Sequence, residues 1–228
     1  MVEVLYDGWG KGGTNTFDTM RMLAPDPERT LGKVGARGLY LTCTAIQDFH
    51  VNAFTVYSPF SAKFKFDRAN NKIDSYGDNI VNTAKYNEDG SVELQLFPQY
   101  VFRAVKPVTI QLLPPLLVPT RADAFVTPGE FDISRWIRPL NTAFIIPAGV
   151  TEFEIKEGEP LFSLRFVTAN NEPVKLVRQA MSDDEQRLSN ACANVTYVKV
   201  GTKLAKLYEY FDRFKASMKP SKCPFHRK

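Results

Sequence analysis

Glu130 and Asp132 are the pair of side chains in the sequence best suited to acid–base chemistry. Two residues apart on a strand, they would share one face. Acid–base work needs one carboxyl of such a pair buried and shifted from its ordinary range. Glu152, Glu154, Glu157 and Glu159 follow close by. All six also suit solvent-facing strand positions, and the pattern favours that plainer role. A metal would need clustered nitrogen, sulfur or oxygen ligands. The chain has two histidines, His50 and His226. Asp48 and His50, offset along one strand, supply part of a site at most. Cys223 and His226 look like half of a zinc site, which Cys43 and Cys192 would have to complete from a strand and a helix. The expectation is therefore no metal and no cofactor. Glu130, Asp132 and His50 remain the candidate catalytic residues of an alternative reading, an enzyme with a carboxylate or metal site in a β barrel.

Other chemistries meet contrary patterns. Gly8-Trp-Gly-Lys-Gly-Gly13 has the spacing of a dinucleotide-binding loop. Such a loop must open a helix inside a βαβ unit and be followed by an acid about 20 residues on. Here a proline-broken stretch follows, and positions 31–47 contain no acid. The loop also lacks the Lys-[Ser/Thr] ending that a P-loop requires. No Gly-x-Ser-x-Gly elbow occurs. Cys43 lies in an apolar, strand-like run and Cys192 in a small-residue helical setting, where thiols are packing groups.

Binding chemistry has a better address. Between Lys203 and Lys228 stand eight basic residues and two acidic ones, so this segment carries +6 of a net +4, and the rest of the chain is weakly acidic. Lys206, Tyr210, Arg213, Lys215, Lys219 and Lys222 interleave positive charge with an aromatic ring. That combination suits an anionic partner, including nucleic acid, through phosphate contacts and base stacking. The same stretch also reads as an ordinary amphipathic helix with its lysines solvated.

The elements that must carry these residues are mostly strands. Residues 1–37 are broken by glycines and prolines and predict an irregular arm, with one short helix near Phe17–Leu23. Residues 38–172 predict about ten short strands, among them 39–43, 53–57, 62–66, 92–96, 100–105, 108–113, 143–146, 152–155 and 161–166. Turns are expected at Asn70-Asn71, Asp89-Gly90, Pro147-Ala-Gly149 and Glu157-Gly158. This is the pattern of a sandwich, jelly roll or barrel. Residues 173–228 predict a helical, basic segment. Ser182-Asp-Asp-Glu185 is a capping box that opens a helix to about Ala193. Leu204, Leu207, Tyr208, Phe211, Phe214 and Met218 mark a second helix ended by Pro220.

With 228 residues, 44% of them hydrophobic, the chain can bury a core and is not of disordered composition. Three scattered cysteines argue against a disulfide framework and for a reducing compartment. The first residues hold acids and no basic start, so no signal peptide is expected. No apolar run reaches membrane-spanning length. The expected location is cytoplasmic.

Four stretches together resemble a known family. They are Phe102-Arg103 with Val108-Thr-Ile-Gln-Leu-Leu-Pro-Pro115; Glu130-Phe-Asp132; Asn141-Thr-Ala-Phe-Ile-Ile-Pro147; and Phe153-Glu-Ile-Lys-Glu-Gly-Glu-Pro160. The chain is similar over residues 35–168 to an uncharacterised family of β-rich bacterial and phage proteins, a domain of unknown function. That resemblance implies no activity and assigns no catalytic residue. It implies a bacterial or phage-encoded protein, in the host cytoplasm or the virion. Joined to the residue patterns, the expectation is a non-enzymatic binding or assembly protein, structural or host-interacting. Its partner is another protein or its own copies, with nucleic acid as an alternative and no membrane.

Overall fold

Alternation of apolar and polar residues decides the clearest strands. Along Ala62–Asp67, Ala62, Phe64 and Phe66 are buried while Lys65 and Asp67 are exposed. Along Val108–Leu113, Val108, Ile110 and Leu112 turn inward. A computed structural model describes residues 1–8, 22–23, 43–58, 60–77, 81–96, 100–116, 118, 121–198 and 201–217. Its strands are β1 (Val2–Gly8), β2 (Met22–Leu23), β3 (Ala53–Tyr57), β4 (Ala62–Asp67), β5 (Lys72–Gly77), β6 (Val81–Tyr86), β7 (Val92–Leu96) and β8 (Tyr100–Ala104). They continue with β9 (Val108–Leu113), β10 (Phe125–Val126), β11 (Gly129–Asp132), β12 (Ala143–Ile146), β13 (Glu152–Ile155), β14 (Pro160–Thr168) and β15 (Val174–Arg178). Three α-helices accompany them among the described residues: α1 (Thr44–His50), α2 (Asp183–Val198) and α3 (Leu204–Ser217).

The protein is mainly β, with a pair of α-helices at its C-terminal end. Its sheets have the orders β11-β9-β14-β3-β2, β10-β12-β7-β6, β15-β1-β8 and β13-β4-β5. All are open, and no barrel closes among the described residues. One apolar core draws on all four sheets. Phe166 lies at its centre, edge-on to Phe54 at 5.6 Å and to Phe102 at 5.5 Å. Phe153 bridges Phe64 and Phe144, with ring centres 6.0 and 5.7 Å away.

The expected turns form. Gly90 takes φ +78° between β6 and β7, and its N–H donates to the Asn87 carbonyl at 3.0 Å. Asn71 takes φ +51° between β4 and β5. Among the described glycines, Gly77 is the one at which a side chain has no room. At φ +94°, an added Cβ would stand 2.5 Å from the Ser61 carbonyl oxygen.

Several expectations are corrected. The N-terminal stretch is not irregular throughout, since β1 lies between β15, its parallel neighbour, and β8, its antiparallel one. Its Val2 and Val4 enter the core. Met22–Leu23 pairs with β3 as a strand and is not the end of a helix; residues 17–21 lie outside the described residues. So do 39–42 of the strand expected at 39–43. Cys43 is exposed and leads into α1, with the Ile46 N–H on its carbonyl at 3.0 Å. The C-terminal segment opens with a strand, β15, before its helices. β5 and β6 had no apolar alternation to announce them, because most of their residues face solvent. The capping box opens α2: Glu185 N–H donates to Ser182 Oγ at 3.3 Å, and Ser182 N–H donates to Glu185 Oε2 at 2.8 Å.

Candidate functional site: a charged groove and an outward helix face

A polar, open groove of about 540 Å³ is lined by Lys63, Arg121, Asp123, Glu152, Glu154, Lys156 and Glu159. Arg121 organises it. Its Nε and Nη2 donate to the two carboxylate oxygens of Asp123 at 2.9 and 2.7 Å, the two-pronged geometry that guanidinium favours. Nη1 donates to Glu159, Nη2 also donates to the Glu154 carbonyl at 2.7 Å, and the guanidinium sits 4.7 Å over the Phe153 ring. Lys63 and Lys65 hold Glu152 at 2.6 and 3.3 Å.

These pairings set the electrostatics. The hydrogen bond from Arg121 holds the Asp123 carboxyl below its ordinary range. Hydrogen bonds from Lys63 and Lys65 do the same for Glu152. Both groups are therefore anions near neutral pH, suited to structure and ionic contact and unsuited to proton donation. For Asp123 the consequence for stability has a definite sign. A depressed folded pKa stabilises above the unfolded value, and that contribution is lost as pH falls through the folded one. Acid denaturation should thus steepen below about pH 4, and Asp123→Asn should flatten that part of the profile. An unchanged slope in the variant would show that the Arg121–Asp123 pair does not govern it.

The candidate catalytic residues lie apart from this groove. Glu130, on β11, is exposed and accepts from Gln111 Nε2 at 3.0 Å. Asp132, two residues on, folds its Oδ1 onto the Ser134 N–H and hydroxyl at 2.8 and 2.6 Å, closing a turn. Asp48 and His50 stand on a helix, α1, and not on the expected strand. A separation of two residues then turns them to nearly opposite sides. Asn171 Nδ2 donates to Asp48 Oδ1 at 2.6 Å, and His50 Nδ1 lies 2.7 Å from the Ile46 carbonyl. Between Glu130 and α1 runs a row of side chains across the sheet. Gln111 Oε1 accepts from Arg165 Nη1 at 3.2 Å, and Arg165 Nε donates to the Phe49 carbonyl at 3.2 Å. Two strand spacings, roughly 10 Å, thus part Glu130 from the strand that touches α1. No group of three metal-binding side chains gathers among the described residues.

The candidate binding residues lie on α3. Leu207 and Phe211 are its buried side chains, with Tyr208 half-buried beside them. Trp136 receives them, its ring 5.7 Å from both Tyr208 and Phe211. The Asp132 N–H donates to the Tyr208 hydroxyl at 2.7 Å, and burial raises that phenol's pKa. Arg135 pairs with Asp212 and lies 5.0 Å over the Tyr208 ring. Leu204, expected to face the core, is exposed, because the helix docks from one turn later.

Lys206, Tyr210 and Arg213 are exposed and recur at i, i+4 and i+7, which places them on one outward face. Lys215 is exposed too, but two residues beyond Arg213 it lies about 160° away around the helix. Lys219 and Lys222 lie outside the described residues, as do Cys223 and His226. Sequence reading gave no role to Trp136 or Arg103, each in a segment whose partner comes from the C-terminal helices. No described helix is long and apolar enough to cross a membrane. Comparison of the chain with protein-family models, with curated proteins and with solved structures gave no match.

Proposed function

We propose that this protein is a non-enzymatic binding or assembly protein whose α3 meets a protein partner, in the first instance a second copy of the chain. The outward face of α3 carries this reading. Leu207 and Phe211 dock the helix through its opposite face, so Lys206, Tyr210 and Arg213 are presented together on its outward face. Phe214 and Leu204 add exposed apolar surface beside them. Tyrosine and arginine are the residue types on which interfaces concentrate binding energy. The Asp123 and Glu152 pairings lend support, since they commit the groove's carboxylates to cations. A phage structural or host-interaction role is the version of this reading that the sequence resemblance favours.

Native mass spectrometry of the full chain tests it, beside a variant carrying Lys206→Glu, Tyr210→Ala and Arg213→Glu. All three positions are exposed, so the fold should survive. The expected result is an oligomer that the variant loses. An oligomer equally populated in both, or a monomer in both, would overturn the self-association reading.

The same face supports a second reading, single-stranded nucleic acid. Lys206 and Arg213 flank Tyr210, which allows phosphate contact on either side of a stacked base. Fluorescence anisotropy with a labelled oligonucleotide should then show affinity falling steeply between roughly 50 and 200 mM salt. A flat response rejects it.

A further inference from the structure

α2 covers a layer in which polar atoms are trapped without partners. Val101 and Arg103 alternate with Tyr100 and Phe102 along β8. Tyr100 and Phe102 belong to the main core, so Val101 and Arg103 face the other way. There Val101 packs with Trp136, Ile137, Leu188, Cys192, Leu207 and Phe211 in a cluster of its own. Glu185, Ser189 and Cys192 lie at i, i+4 and i+7, on the α2 face turned to this layer. Glu185 Oε1 is 2.7 Å from Arg103 Nε. Arg103, Trp136 and Ser189 are 3%, 1% and 0% exposed, yet Arg103 Nη1, Trp136 Nε1 and Ser189 Oγ have no hydrogen-bond partner among the described residues. Each forfeits hydration while the layer is closed and regains it on opening.

We propose that α2 and α3 form a hinged cover that opens as one unit while the β body stays folded, uncovering Trp136 and Cys192. The balance of contacts favours this order of events. Seven buried residues hold the cover, and twenty-eight hold the body. Three of the five described residues with such stranded atoms, Arg103, Trp136 and Ser189, fall in this layer; His50 and Asn141 belong to the body. Opening costs the seven-residue cluster, the Arg103–Glu185 and Arg135–Asp212 pairs and the Asp132–Tyr208 hydrogen bond, and returns water to three stranded polar atoms. The body would expose twenty-eight buried residues for the hydration of two such atoms. Regions with few buried apolar contacts open below the global unfolding free energy, as cooperative pieces. The inference does not depend on the partner-binding role of α3, since the cover opens whether or not anything binds it.

Cys192 reports the opening, because burial keeps its thiol protonated in the closed state. In full-length protein with Cys43→Ser and Cys223→Ser, the rate of Cys192 labelling by a disulfide reagent would be followed against denaturant. Amide hydrogen exchange would be read by mass spectrometry over α2, α3 and β14. The expected result is labelling at denaturant concentrations where β14 amides stay protected, with α2 and α3 exchanging together. Ser189→Ala removes one stranded hydroxyl and should slow labelling about tenfold. Labelling that shares the denaturant dependence of β14 exchange would overturn the proposal. So would α2 exchanging apart from α3, or a Ser189→Ala variant that labels as fast as the parent.

Discussion

Replacing Glu185 with alanine is expected to lower stability by about 3 kcal/mol. Glu185 is the counter-ion of Arg103, whose side chain is only 4% exposed. Arg103 Nη2 also donates to the carbonyls of Gln179 and Ala180, at 3.0 and 3.1 Å. Those bonds satisfy hydrogens but leave the charge uncompensated. Removing one partner of a buried pair typically costs about 3–5 kcal/mol, because the other charge stays buried alone. The Glu185 side chain is 31% exposed, so water can reach the gap, and the lower end of that range applies. The alanine also loses the half of the capping box that binds the Ser182 N–H. Guanidinium unfolding followed by circular dichroism measures the change. Pairing Glu185→Ala with Arg103→Met should recover most of the loss, since no buried charge then remains. Additive losses in the double variant would show that the two residues do not act as a pair.

Phe166→Ala should cost about 4 kcal/mol, and the loss should be global. Phe166 is fully buried on β14, the central strand of the five-stranded sheet. Its edge-on contacts reach Phe54 within that sheet and Phe102 on β8 in another. Truncation therefore loses transfer energy, leaves a cavity and unties two sheets at once. Phe102 and Phe54 cannot both move in to fill the space, because each is fixed by its own strand pairing. For a chain of this size the expected fall in melting temperature is roughly 10 °C. Differential scanning calorimetry reads it. A shift of only one or two degrees would mean that the core collapses onto the gap.

How legible this was in advance depends on where each signal lies. Ala62–Asp67, Val92–Leu96 and Glu152–Ile155 carry their own period of two, so their strands could be read directly. Asp89-Gly90 and the capping box are equally local, and both form. What stayed hidden is non-local. Lys72–Gly77 and Val81–Tyr86 are strands because β4 and β7 hold them, and their mostly solvated residues show no stripe. β1 alternates in Val2-Glu-Val4, but its partners lie about a hundred residues or more away, on β8 and β15. Cys43 sits at the end of an apolar run, yet it is exposed at the start of α1. At the candidate surface, helical spacing fixed which side of α3 faces out. It could not show that Trp136 receives the helix, or that Asp132, first considered as an acid, lends its N–H to Tyr208.

Arg121 has one more consequence. β13 is the last strand of its sheet, and the Phe66 N–H donates to the Thr151 carbonyl at 3.0 Å. By antiparallel alternation, the N–H and C=O groups of Glu152 and Glu154 then point away from β4, where no other strand pairs with β13 among the described residues. A bare edge of this kind is a template on which a stray strand of another chain can grow. The Arg121 guanidinium occupies the Glu154 carbonyl, and Glu159 and Asp123 clamp it there. The molecule thus covers part of this edge with a side chain from a loop, held in place by two carboxylates and the Phe153 ring.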